Sequence, residues 1–81
     1  MERSAILNII QEIVRDVVDN DELVLEDHMT AADVDGWSSL SQAQILSAIE
    51  QKMKIRFSLM EIMEMKSISQ IVDAVAKKTD K

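Results

Sequence analysis

The stretch Asp35-Gly-Trp-Ser-Ser-Leu40-Ser-Gln-Ala-Gln-Ile45-Leu-Ser-Ala-Ile-Glu50-Gln-Lys-Met53 decides the fold. Asp35-Gly36 is a turn pair, two serines follow it, and apolar residues then recur at helical spacing as far as Met53. No alternating strand flanks the pair, so a hairpin reading fails. A helix is expected from Ser38 or Ser39 to about Met53. Leu40, Ala43, Leu46, Ile49 and Met53 should form its buried stripe, with Ile45 at the edge. Ser39 followed by Gln42 fits a capping box, and Ser38 is a competing cap.

Toward the amino terminus, Ile6, Ile10, Ile13 and Val17 recur at the same period, and Leu7, Ile9, Val14 and Val18 widen the stripe. Residues 3–18 therefore read as an amphipathic helix, roughly 24 Å long at 1.5 Å per residue. Asp19-Asn20-Asp21 ends it, because short polar side chains compete for backbone hydrogen bonds. Residues 19–38 show no sustained period. Leu23, Val24, Leu25, Met29 and Val34 are expected to pin this long loop to the core. Toward the carboxyl terminus, Ser58-Leu-Met-Glu61 opens a short helix to about Met63. Ser67-Ile-Ser-Gln70 opens a last helix to about Lys78, burying Ile68, Ile71, Val72 and Val75. Lys77 and Lys78 then lie where the helix dipole favours cations. The expected fold is all-α, a small four-helix bundle with a short third helix and a long first loop, in one domain over 1–81.

Composition supports helices and excludes several functions. The chain has 81 residues, no proline and one glycine, so nothing interrupts helix over most of its length. Only Trp37 and Phe57 are aromatic, so the core must be aliphatic. The net charge of −6 opposes nucleic-acid binding. No apolar run approaches the roughly 20 residues of a membrane span. Met1-Glu2-Arg3-Ser4 lacks a basic signal-peptide region, so a cytoplasmic location is expected. With no cysteine the chain has no thiolate nucleophile, disulfide or thiolate metal site.

Catalytic constellations are missing. His28 is the single histidine, and no motif supplies it with a nucleophile. Asp19, Asp21 and Glu22 resemble the opening of a calcium loop. Leu23 occupies the third ligand position, Val24 that of the turn glycine and Thr30 that of the closing glutamate, so no metal site is expected. A serine at a helix start has two uses. Capping explains most of them; the other use is to carry a phosphate at the positive end of the helix dipole.

Gly36-Trp37-Ser38-Ser39-Leu40 resembles the signature of the acyl carrier protein family, in which Asp-Ser-Leu opens the second helix. The following residues to Glu50 are similar to that family's second helix. Met53-Lys-Ile-Arg-Phe57 leads to a short third helix, and Met65-Lys-Ser-Ile-Ser-Gln-Ile-Val72 resembles the start of its fourth. The resemblance runs over nearly the whole chain. It implies a non-catalytic carrier whose Ser39, the serine before Leu40, receives 4′-phosphopantetheine from coenzyme A. The arm's thiol would then hold acyl or aminoacyl groups as thioesters. The implied partners are a phosphopantetheinyl transferase and acyl- or aminoacyl-loading and acyl-processing enzymes. The implied oligomeric state is a monomer.

Trp37, Ser38 and Leu40 flank the implied site as recognition residues. The family's Asp is Ser38 here, which leaves two adjacent hydroxyls and makes Ser38 the rival attachment point. Leu46, Ile49, Met60, Ile62 and Met63 are the implied lining of an acyl pocket between the second and third helices, although core filling also accounts for the methionines. Polar positions of the second helix carry Gln44, Glu50, Gln51 and Lys52, fewer carboxylates than the family commonly shows there. Residues 1–37 hold 10 acidic and 2 basic side chains, net −8, and residues 38–81 hold 5 and 7, net +2. Charge steering would then fall to the first loop. An unmodified helical interaction module with the same fold is the alternative. Fatty-acid, polyketide, peptide and envelope-acylation cargoes all remain open.

Overall fold

The computed structural model describes residues 2–79. Four helices occur in the order expected: α1 (Arg3–Val18), α2 (Ser39–Met53), α3 (Leu59–Glu64) and α4 (Ile68–Thr79). α1 packs against both α2 and α4. Its fully buried line is Ile6, Ile10 and Val14, one residue per turn, while Ile13 and Val17 are only half-buried. The helix ends where the short polar triplet Asp19-Asn20-Asp21 predicts. Asp19 takes a left-handed conformation (φ 56°), and the amides of Asp19 and Asn20 both donate to the Arg15 carbonyl. α2 closes in the same way at Lys54 (φ 57°), with Ile55 also bonding Glu50 O.

The buried face of α2 differs from the expected stripe. Ile45, Leu46 and Ile49 are buried, whereas Leu40 is 70% exposed and Ala43 is exposed. Steps of three residues explain the error. At about 100° per residue, each step falls about 60° short of a full turn. Leu40 therefore lies about 180° around the helix from Ile49, and Ile45 only about 40° from it. Ile45 is a core residue, not an edge residue.

The first loop is held on both sides. Leu25 and Val34 are buried and Leu23 and Met29 half-buried, but Val24 faces outward at 63% exposure and pins nothing. From α1, Arg15 Nε donates to Leu23 O (2.6 Å) and Gln11 Oε1 accepts from Leu25 N (2.7 Å). A single 3-10 turn, Ala31–Asp33, interrupts the loop; across it Thr30 N donates to Asp33 Oδ2 (2.9 Å) and Asp33 N to Thr30 O (2.9 Å). Loop carbonyls also serve α4. Ile68 N donates to Met29 O (2.8 Å) and Ser69 N to Asp27 O (3.0 Å), satisfying amides that an α-helix leaves free at its start. Arg3 bridges the same joint through Asp27, Asp73 and Ser69.

α3 is capped as expected. Ser58 Oγ accepts from Glu61 N, and Glu61 Oε1 accepts from Ser58 N at 2.7 Å. Glu61 also pairs with Lys78 of α4 at 2.9 Å. The Ser58 amide, then Lys78, hold the Glu61 carboxyl below its ordinary pKa. A lowered folded-state pKa gives stability that is complete above the ordinary glutamate value of about 4.3 and is lost as pH falls through the lowered value. Glu61→Gln is therefore expected to flatten the acid limb of a denaturation series. An acid limb identical to that of the wild type would show that Glu61 has no part in it.

α4 buries Ile68, Ile71, Val72 and Val75 as predicted. Its box is shifted by one residue. Ser67 Oγ accepts from Gln70 N (3.3 Å), but Gln70 Oε1 reaches back to Lys66 N (2.8 Å) rather than to Ser67 N.

Candidate functional site

The loop–helix junction at residues 35–42 is built from short local interactions. Gly36 takes a positive φ of 88°, a conformation that a side chain resists, and a Cβ there would lie 3.4 Å from Val18 Cβ. The turn thus rests on the end of α1. Trp37 is half-buried, and its indole Nε1 donates to Gln42 Oε1 at 2.5 Å. Its role as an anchor of the loop end follows from that bond and burial.

Ser38, not Ser39, caps α2. Its backbone is extended (φ −107°, ψ −178°), its Oγ accepts from Ser41 N at 3.3 Å, and its carbonyl takes the first helical bond from Gln42 N at 2.8 Å. Ser39 is the first helical residue and is exposed. Among the described residues its hydroxyl has no hydrogen-bond partner. The Ser39–Gln42 capping box expected from the sequence does not form, because the Gln42 side chain is engaged by Trp37. Helix geometry also leaves the Ser39 and Leu40 amides without intrahelical acceptors, so they face outward at the positive end of the dipole.

Leu40 stands exposed beside Ser39. The expected pocket residues fall into two groups. Leu46 and Ile49 are buried in the core, and Ile62 is half-buried. Met60 and Met63 are 72% and 67% exposed, so they do not fill the core; Met65 does, at 8%. Met60 and Met63 line a shallow recess of about 440 Å³ with Glu64, Lys66 and Gln70, to which no residue of α2 contributes. The wall they make with Leu46 and Ile49 is therefore not assembled in this arrangement. His28 is exposed, and among the described residues no group of acids and histidine could hold a metal. No helix is long and apolar enough to cross a membrane among those residues.

Residues 4–75 match the family model described as the phosphopantetheine attachment site. The fold is similar to the solution NMR structure of holo acyl carrier protein from Geobacter metallireducens, with a TM-score of 0.83 and 36% identity over 89% of this chain and 83% of that one. The chain belongs to the acyl carrier protein family. No curated protein sequence matches it.

As a member of that family the carrier bears covalently attached 4′-phosphopantetheine and presents its cargo to partner enzymes; such carriers are generally non-catalytic. The junction is compatible with such a group. An exposed, unengaged hydroxyl lies at a helix start whose free amides and dipole favour a phosphodiester, by about 0.3–1 kcal/mol at an exposed site. Sequence reasoning missed Ser41, and it gave Gln42 a different partner, Ser39 in place of Trp37. Their polarity and position three and four residues beyond Ser38 were the available signal, but a bond to Trp37 or Gly36 needs the folded turn to exist.

Proposed function

We propose that Ser39 is the attachment residue and that the chain, as a single domain over 1–81, carries acyl groups on the arm fixed there. The observation that carries this reading is the division of labour between the two serines. Ser38 Oγ is committed to capping, while Ser39 Oγ is exposed and unengaged. In the transfer, Ser39 Oγ forms a bond to the phosphorus bearing the pantetheine unit of coenzyme A. The phosphoanhydride bond breaks, adenosine 3′,5′-bisphosphate leaves with the electron pair, and the hydroxyl proton passes to a base of the phosphopantetheinyl transferase. Once attached, the arm supplies a terminal thiol on which the acyl group is held as a thioester.

The likeness to a holo acyl carrier protein favours acyl over aminoacyl cargo. The partners in this reading are the transferase and acyl-loading and acyl-processing enzymes, meeting a monomeric carrier in the cytoplasm. Trp37, Ser38 and Leu40 form the flanking recognition surface. Leu46, Ile49, Met60, Ile62 and Met63 line an acyl pocket that opens only when cargo is present. Unbranched methionines lower the cost of that opening. Acidic residues of the first loop, rather than those of α2, steer basic partners, since Glu50 Oε2 is occupied by Phe57 N at 2.9 Å.

The test is the intact mass of the protein purified from its own cell, with a thiol titration beside it. The chain contains no cysteine, so one thiol per chain and a matching mass increment identify the arm. A thiol-free protein at the bare chain mass, left unmodified by competent transferases, sinks the reading.

A further inference from the structure

The three residues that precede Ser39 are each held from the far side of it. Ser41 Oγ donates to Gly36 O at 2.7 Å and lies 3.3 Å from Ser38 Oγ. Gln42 Oε1 accepts from the Trp37 indole at 2.5 Å, and Gln42 N bonds Ser38 O at 2.8 Å. Gly36, Trp37 and Ser38 are thus clasped to positions 41 and 42 by side chains, with Ser39 and Leu40 bridging the clasp. None of residues 36–42 belongs to the buried core. Partly exposed hydrogen bonds of this kind add little to global stability. What they do restrain is the backbone on both sides of one exposed hydroxyl.

We propose that Ser41 and Gln42 are positioning residues for modification of Ser39, fixing the direction in which its hydroxyl leaves the helix start. This rests on Ser39 being the attachment residue. Group transfer to phosphorus is steep in geometry, because the attacking oxygen must approach in line with the leaving group, and a displacement of about 1 Å can cost on the order of a hundredfold in rate. Here the cap is a neutral Ser38, whose bond to Ser41 N is long at 3.3 Å. The Ser41 and Gln42 side chains supply the restraint that this weaker cap leaves out.

The experiment compares wild type, Ser41→Ala/Gln42→Ala, the conservative Ser41→Thr, and Ser39→Ala. Transfer from coenzyme A by a purified phosphopantetheinyl transferase is measured as kcat and KM for the carrier. Hydrogen exchange is measured on the unmodified proteins at the backbone amides of 41 and 42 and at the Trp37 indole. The double variant is expected to lose about tenfold in kcat with little change in KM or Tm, and to exchange faster at those three sites. Ser41→Thr, which keeps both the hydroxyl and Gln42, should retain most of the wild-type rate. Wild-type kcat or unchanged exchange in the double variant overturns the proposal. So does a loss confined to KM, which marks the two side chains as contacts of the transferase. Labelling of Ser39→Ala is a separate failure: it overturns the attachment residue itself, and the positioning role with it.

Discussion

Ser39→Ala is expected to abolish incorporation of phosphopantetheine while leaving the fold intact. The first helical position tolerates alanine well, and Ser39 Oγ holds nothing in place, so helix content and Tm should match the wild type. Ser38→Ala should behave in the opposite way. It removes the hydroxyl that accepts from Ser41 N, at a cost of about 1 kcal/mol, yet it leaves the acceptor oxygen for modification present. Intact mass after incubation with coenzyme A and a transferase reads the first effect, and thermal denaturation the second. A modified Ser39→Ala protein, or a Ser38→Ala protein that alone escapes modification, would assign the arm to the wrong hydroxyl. The pair is informative because adjacent serines share surroundings and charge and differ only in which one the helix consumes.

Ile45→Ala is expected to have the largest effect on stability, and Leu40→Ala next to none. Ile45 is fully buried, and truncating such a residue typically costs about 2–5 kcal/mol through lost transfer energy and the cavity left behind. A domain of this length is stable by only about 4–12 kcal/mol, so that loss threatens the folded state. Leu40 is 70% exposed, and its truncation should move stability by less than about 0.5 kcal/mol. Urea denaturation of the two variants measures both. Similar losses at the two positions would mean that α2 is rotated from the orientation described, with Leu40 turned inward.

The contrast between these two leucine and isoleucine positions shows where sequence reading works in this chain. α1 and α4 are legible because their apolar residues recur in steps of four as well as three, which keeps them on one face. α2 misleads because Leu40, Ala43, Leu46 and Ile49 recur in steps of three alone, and that series winds around the helix. α3 is too short for periodicity to speak, so its boundaries come from the Ser58–Glu61 box while the exposure of Met60 and Met63 does not. The junction at Gly36–Leu40 is recognisable from its residues. Which serine caps the helix is not, since both are followed three residues later by a side chain able to hydrogen-bond.

Local rules acting on neighbouring residues were enough for the extents of the helices, the Ser58–Glu61 cap of α3 and the turn at Gly36. Each is set by interactions a few positions apart, and so is written in order along the chain. Three matters needed the assembled fold: the rotation of α2 about its axis, the capture of Gln42 by Trp37, and the seating of Asp27 and Met29 carbonyls on the start of α4. The first depends on what packs against the helix, and the second on the Gly36 turn bringing Trp37 over α2; the third is unwritten because backbone amides and carbonyls are the same at every residue. No side-chain pattern marks which of them will meet until the loop is closed against the helices.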